Sequence, residues 1–373
     1  MASLINAWTP DATQDGRLLN GNAAFATNCS YDNTVNFDGL GSLKHVTNNP
    51  AVEATVQTTG INYMADTGTR LSFWFRIDAL PSSLGQMFEG RTTGGSAVWR
   101  FGVNADGTTT LSPVGATAAT GTAVVAINTW TRASISFTIT NTTTYRIDWF
   151  LNGVLQGSCT AGTLTRVGAA IIQTRHIGSV YGTDKSLWIT HIVSDDGTDY
   201  ADIGDLRCTA KRPIANNTNN FDTFQGANPA NRWENVYERP SGITNGWKHV
   251  AATDVQENYT LEAAAVGDRD ITGNRIIGRR AWILAGAIVG GAGTPQIMDN
   301  GTESAIVLIA GNKIFSVVTT SSTYPSNAAG IGMRSTNDAD DCLLWECGTI
   351  IVYDGATYSG RGVGRGIGRG VYR

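Results

Sequence analysis

Residues 145–157 read Tyr-Arg-Ile-Asp-Trp-Phe-Leu-Asn-Gly-Val-Leu-Gln-Gly, and this stretch decides the fold class. Tyr145, Ile147, Trp149 and Leu151 recur with a period of two, the spacing that puts side chains on one face of a β-strand. Asn152-Gly153 follows at once. Both positions tolerate positive φ, so the pair favours the two-residue type I′ turn that closes a hairpin. Working outward, Trp130 to Thr140 alternates in the same way: Ala133, Ile135, Phe137 and Ile139 share one face, Ser134, Ser136 and Thr138 the other. Arg70-Leu-Ser-Phe-Trp-Phe-Arg-Ile-Asp78 is dense in aromatic and aliphatic residues and stops near Pro81. Further Asp-Gly and Asn-Gly pairs stand at 38–39, 106–107, 196–197, 245–246, 300–301 and 354–355. Short strands punctuated like this predict antiparallel sandwiches, not βαβ units. Helical periodicity is scarce, and Glu257 to Val266 is the one stretch expected to form a short helix.

Composition agrees with an all-β protein. Charged residues are 16% of the 373, and glycine reaches 44, against roughly 25% and about 7% in ordinary soluble domains. Gly, Thr, Asn and Ser are poor helix-interior residues. Disorder is excluded by a 41% hydrophobic content with ten tryptophans, enough apolar surface to build a core. The formal net charge is −4, but Arg361, Arg365, Arg369 and Arg373 put +4 on residues 357–373, leaving −8 on the body. An acidic body argues against nucleic acid as a partner, because a nucleic-acid binder carries its basic face on the folded part. Cys29, Cys159, Cys208, Cys342 and Cys347 show no metal or redox spacing and are expected as free, buried thiols. No basic, apolar leader opens the sequence and no run approaches about 18 apolar residues, so neither a signal peptide nor a membrane partner is expected.

The strand signals fall into two groups. Lys211-Arg-Pro-Ile-Ala-Asn-Asn-Thr-Asn-Asn220, rich in Asn and broken by proline, separates them. The expected organisation is a first jelly-roll sandwich over 1–212, a linker over 213–220, a second β-sandwich over 221–356, and a Gly/Arg-rich extended arm over 357–373.

Asn128-Thr-Trp130, the strand after it, and the hairpin of residues 145–157 resemble the core of concanavalin A-like, laminin G-like jelly rolls. Ile177-Gly178 and Leu187-Trp-Ile-Thr-His-Ile-Val193 are similar to that family's closing strands. Trp233-Glu-Asn-Val-Tyr-Glu238, Gly267-Asp-Arg-Asp270 and the strand from Leu343 to Tyr353 resemble the domain that accompanies such a jelly roll in virion proteins of tailed bacteriophages. The resemblance implies a structural role on the exterior of a virion, as capsid decoration, cement or head fibre, assembled in the host cytoplasm. It also implies other virion proteins, such as the major capsid protein, as partners, and a homo-oligomer, a trimer by analogy. The alternative it leaves open is a carbohydrate-binding adhesin that recognises a host or matrix glycan.

Jelly rolls of this class include glucanases, whose Glu-x-Asp-x-x-Glu strand sets two carboxylates on one face for glycoside hydrolysis. That string is absent. Glu234 and Glu238 read as solvated charges, no Gly-x-Ser-x-Gly elbow occurs, and the four histidines have no ligand spacing. The chain is therefore expected not to be an enzyme, and no cofactor is expected apart from Ca²⁺. The hard oxygens for that ion would come from Asp195, Asp196 and Asp199, or from Asp338, Asp340 and Asp341. For sugar stacking the candidates are Trp99, Tyr181 and Tyr237, whereas Trp74, Trp149, Trp188 and Trp282 sit inside hydrophobic strands and are assigned to the core.

The sharpest pattern is in the arm. Every even position from Gly360 to Gly370 is glycine, with Arg361, Val363, Arg365, Ile367, Arg369 and Val371 between, then Tyr372 and Arg373. In an extended chain this gives one bare backbone face and one side-chain face. It is expected to anchor the chain by adding to a partner's sheet edge or groove.

Overall fold

A computed structural model describes residues 4–9, 29–38, 40–47, 53–54, 68–92, 97–139, 144–162, 170–177, 185–221, 223–225, 246–249, 255–264, 271–287, 295–299, 302–305, 313–319, 330–335 and 342–355. All of the regular structure in them is β, in four antiparallel sheets. The largest sheet runs Val154–Gly162, Thr144–Leu151, Thr131–Ile139, Gly68–Ile77, Lys185–Asp195, Leu40–Thr47, Cys29–Phe37, with Leu4–Trp8 paired onto Lys185–Asp195. A facing sheet runs Glu53–Ala54, Ala170–Ile177, Gly85–Thr92, Ala97–Val103, Thr108–Pro113, Ala119–Val124. Neighbours far apart in sequence, such as Gly68–Ile77 beside Lys185–Asp195, are the crossovers that make a jelly roll of two stacked sheets.

The hairpin at 145–157 forms as its sequence requires. Leu151 pairs with Val154, and Asn152 and Gly153 hold φ of 48° and 87°, as a type I′ turn demands. Alternation then supplies the core. Phe73, Phe75 and Ile77 are fully buried and meet the facing sheet: the Phe73 ring stacks on Phe88 at 3.6 Å between centroids and lies edge-on to Phe101 at 5.8 Å. Trp149 is also fully buried, and its Nε1 donates to Thr109 Oγ1 at 3.2 Å. Gly157 lies flat beneath that indole, where a Cβ would overlap the ring.

The second sandwich pairs Thr223–Gln225, Gly246–His249, Cys342–Asp354, Ile276–Ala287 and Lys313–Thr319, with Leu206–Lys211 against Cys342–Asp354. Its other sheet runs Pro213–Asn219, Gln256–Leu261, Ile331–Arg334, Gln296–Asp299, Thr302–Ala305. Three details differ from the sequence reading. The expected linker at 213–220 contains an edge strand, Pro213–Asn219, whose proline suits an edge position. Leu206–Lys211, placed with the first unit by sequence, pairs with the second. The expected helix near Glu257 is the strand Gln256–Leu261: Glu257, Tyr259 and Leu261 turn to the interior with a period of two. The acid is tolerated there because Tyr259 Oη, Asn219 Nδ2 and the Phe221 amide all donate to it, at 2.6, 2.8 and 3.1 Å.

Strand Cys342–Asp354 is buried on both faces. Ile350 and Val352 join the first sandwich's core cluster, together with Trp282, whereas Ile351 and Tyr353 pack with Ile271 and Ile276 on the opposite side. The strand Leu4–Trp8 lies at this junction. It is hydrogen-bonded to the first sandwich through Lys185–Asp195, it buries Trp8 completely, and the Ala7 carbonyl accepts from Arg280 Nη1 of the second sandwich at 3.0 Å. The two units thus share one apolar cluster.

Candidate functional site

One face of the largest sheet is the core; the other carries the polar and aromatic positions that alternate with it. Along Gly68–Ile77 these are Arg70, Ser72, Trp74 and Arg76. Strand order and register decide what stands beside them. Lys44 pairs with Trp188, and Trp188 with Arg76, so three neighbouring strands set Lys44, Trp188 and Arg76 in a row across the outer face. Two residues along, Thr190 pairs with Trp74, and Trp74 with Arg132. Directly opposed positions on one face bring side chains into contact. Lys44 Nζ lies 5.5 Å, and Arg76 Cζ 5.2 Å, from the centre of the Trp188 ring, cation–π distances for both.

Different segments cover the remainder of this face. Residues 195–205 fold over the strands Thr131–Ile139 and Thr144–Leu151: Ser136 Oγ and Thr138 Oγ1 donate to the carbonyls of Asp199 and Thr198 at 2.9 and 3.1 Å. Arg132 forms a bidentate pair with Asp202 at 2.7 and 2.5 Å, and Arg146 stacks on Tyr200 at 4.2 Å. At the other end the tip of hairpin 29–47 curls back. Phe37 stacks on Trp74 at 4.3 Å, and Trp130 Nε1 donates to the Asn36 carbonyl at 2.9 Å. The second sandwich closes the corner. Arg207 stands 5.1 Å from the Phe37 ring and 5.5 Å from Trp74 and binds both Asp205 and Asp38. Burial alone would lower the Arg207 pKa, but hydrogen bonding and charge from Asp205, with the charge of Asp38, carry it upward, so the cation is permanent. A bulge between Thr190 and Val193 puts His191 at a φ of 48°, and its Nδ1 accepts the Cys208 amide at 2.9 Å. The bulge re-aims one side chain from the sheet into the neighbouring unit.

The result is a corner in which Phe37, Trp74 and Trp130 stay half-exposed among fixed charges. Asp32 borders it, accepting from Trp188 Nε1 at 2.9 Å and from Thr34 Oγ1 at 2.6 Å. Partial burial would raise its pKa, but the donors from Thr34, Trp188 and Val35 prevail and lower it to about 2. Lys44 and Arg76 differ from Arg70, Arg132, Arg146 and Arg207: neither has a carboxylate partner among the described residues. Arg76 Nη2 donates to Asn128 Oδ1 at 3.0 Å.

Few of the site residues expected from sequence stand here. Trp99 is 1% exposed, in the core between the sheets, and cannot stack on a sugar. Its strand presents the odd-numbered residues inward, whereas Trp74 sits on the even, outer phase of its own. Of the calcium candidates Asp195, Asp196 and Asp199, the first and last are engaged by an arginine. The Arg70 guanidinium bridges them, at 2.5–2.9 Å to Asp195 and 2.8 Å to Asp199. Among the described residues no cluster of His, Cys, Asp and Glu is arranged to hold a metal. Tyr181, Tyr237, Glu234, Glu238, Asp338, Asp340, Asp341 and the arm from Arg361 to Arg373 lie outside the described residues. The residue missed is Trp74, assigned to the core by sequence; Trp149 and Trp282 are in the core, both at 0% exposure, and Trp188 is buried, 6% exposed, beneath Lys44 and Arg76. The available signal was phase, since Trp74 shares its alternation with Arg70 and Arg76.

No protein-family model and no curated protein sequence matches the chain. Among solved structures it is similar to an endo-beta-1,4-glucuronan lyase from the fungus Trichoderma reesei, at 11% identity and a TM-score of 0.37, over 48% of this chain and 92% of that one. It is similar to the cellulose-induced protein Cip1 at 18% identity and 0.36, over 54% and 94%. It is also similar to a carbohydrate esterase from the Shiga toxin-encoding bacteriophage phi24B at 10% and 0.37, over 53% and 100%. At those values no residue role, substrate or activity passes to this chain. One expectation is nonetheless corrected. Exclusion of catalysis rested on motifs missing from the sequence, whereas structures similar to this chain include a lyase and an esterase. None of the three is described as a capsid or decoration protein.

Proposed function

We propose that the chain recognises carbohydrate, and that the corner formed by Phe37, Trp74, Trp130, Trp188, Lys44 and Arg76 is where it does so. The observation that carries this reading is the cross-strand row Lys44–Trp188–Arg76 beside half-exposed aromatic rings. Sugars offer C–H faces to aromatic rings and hydroxyls to polar groups, and a ligand site pairs an apolar wall with a few placed donors. Of the two functions expected from sequence, recognition of a glycan has this support; the decoration role draws none from the described residues. The test is a glycan array probed with the folded, full-length chain, followed by calorimetry on the best ligand. Trp130→Ala and Phe37→Ala are expected to weaken binding by roughly tenfold each, the cost of truncating an interfacial aromatic anchor. An array with no ligand, or full affinity in both variants, overturns the reading.

A further inference from the structure

The two cations of the row set the class of sugar. Of the arginines on this face, Arg70, Arg132 and Arg146 are each neutralised by an aspartate, with bonds of 2.5–2.9 Å. Lys44 and Arg76 are the exceptions, and the Trp188 ring holds both in place from the side. Unmet donors gather at the same positions. Arg76 Nε and Trp74 Nε1 are buried with no hydrogen-bond partner among the described residues, and so is Thr190 Oγ1, directly opposite Trp74 on the next strand. A buried donor left unmade costs about 1–3 kcal/mol, and native structures keep few of them unless a ligand or water completes the set. Several donors and two cations without an ion-pair partner among the described residues describe an anion site. Both cations are part-exposed, so a ligand from solution can reach them.

Resting on the carbohydrate reading of this corner, we propose that the ligand is an acidic saccharide. The carboxylate of a uronic acid residue is bound by Arg76, beside the Trp188 indole, and its pyranose ring lies toward Trp130 and Phe37. A guanidinium matches a carboxylate in shape as well as charge, and Lys44 adds a second charge from the far side of the indole. Neutral sugars would leave both cations without a counter-charge.

The experiment measures the intact chain by calorimetry against oligogalacturonate, oligoglucuronate and oligomannuronate. Each is compared with its methyl-esterified form and with the matching neutral hexose oligomer. Esterification removes the charge and keeps the ring, and no protein variant is involved. At least one free uronate is expected to bind roughly tenfold or more tightly than its ester, the size of one charge-assisted hydrogen bond. The advantage is expected to shrink as salt rises from about 0.05 to 0.5 M, over which the Debye length falls severalfold. Lys44→Gln and Arg76→Gln, both on part-exposed positions, should remove the preference for the free acid without removing affinity for the ester. Circular dichroism confirms that each variant is folded. Equal binding of acid and ester, or a preference that survives both substitutions, overturns the acidic-sugar assignment and leaves carbohydrate recognition standing. Failure of every glycan, charged or neutral, overturns the function itself.

Discussion

Removing the Asp299 carboxylate is the most exacting test of the second sandwich. Arg279 and Asp299 come from its two facing sheets, with side chains 4% and 2% exposed. Arg279 Nε donates to both carboxylate oxygens, at 3.0 and 2.7 Å, and Thr319, paired with Arg279 across the strands, donates to Oδ2 at 3.2 Å. Asp299→Ala leaves a guanidinium enclosed with no counter-charge, a change that costs about 3–5 kcal/mol. With a urea m-value of about 2 kcal/mol per molar, the unfolding midpoint falls by roughly 2 M. That is a large share of the 5–15 kcal/mol that holds a typical protein folded. Arg279→Met with Asp299→Leu removes both charges and keeps the volume, so it should recover most of the loss. Thr319→Val removes one hydrogen bond and costs about 1 kcal/mol. Urea titration followed by tryptophan fluorescence ranks the three. A loss under about 1 kcal/mol for Asp299→Ala, or a double variant no better than the single one, refutes burial of this pair.

Three further outcomes are expected. Gly157→Val drives a branched side chain into the Trp149 indole and destabilises the chain by about 1–3 kcal/mol, read by thermal melting; an unchanged melt means the ring does not lie there. Trp8→Ala, at the seam where the two sandwiches share a cluster, costs about 3–5 kcal/mol and splits one unfolding transition into two in calorimetry; a single, equally sharp transition contradicts the shared core. The Asp32 carboxyl is held below its unfolded pKa. Its contribution to hairpin 29–47 is therefore full above about pH 4 and lost as pH falls toward 2. Asp32→Asn removes that acid step from a fluorescence titration, and a step that persists assigns it elsewhere.

Much of the architecture is legible in short stretches. The turn at Asn152-Gly153 and the alternation at 131–139 and 145–151 name hairpin, strand and inward face together, because each signal depends on neighbours a few residues away. Glu257 and Pro213 mislead for the opposite reason. An acid in a core strand is sustained by Asn219, Tyr259 and the Phe221 amide, and an Asn-rich stretch becomes a strand because Gln256–Leu261 lies beside it. Neither partnership leaves a local mark.

The corner shows the same division. Sequence by itself placed Trp74 in phase with Arg70 and Arg76, and Trp99 in a strand of similar pattern. Which phase meets the facing sheet and which meets solvent depends on how the sheets stack. The row Lys44–Trp188–Arg76 exists because the strands Leu40–Thr47, Lys185–Asp195 and Gly68–Ile77 are adjacent in one sheet, an order set by burial of the whole apolar surface. Local pattern fixes a strand's two faces. Only the tertiary fold brings three distant strands side by side, and so sets two cations of one face on either side of one indole.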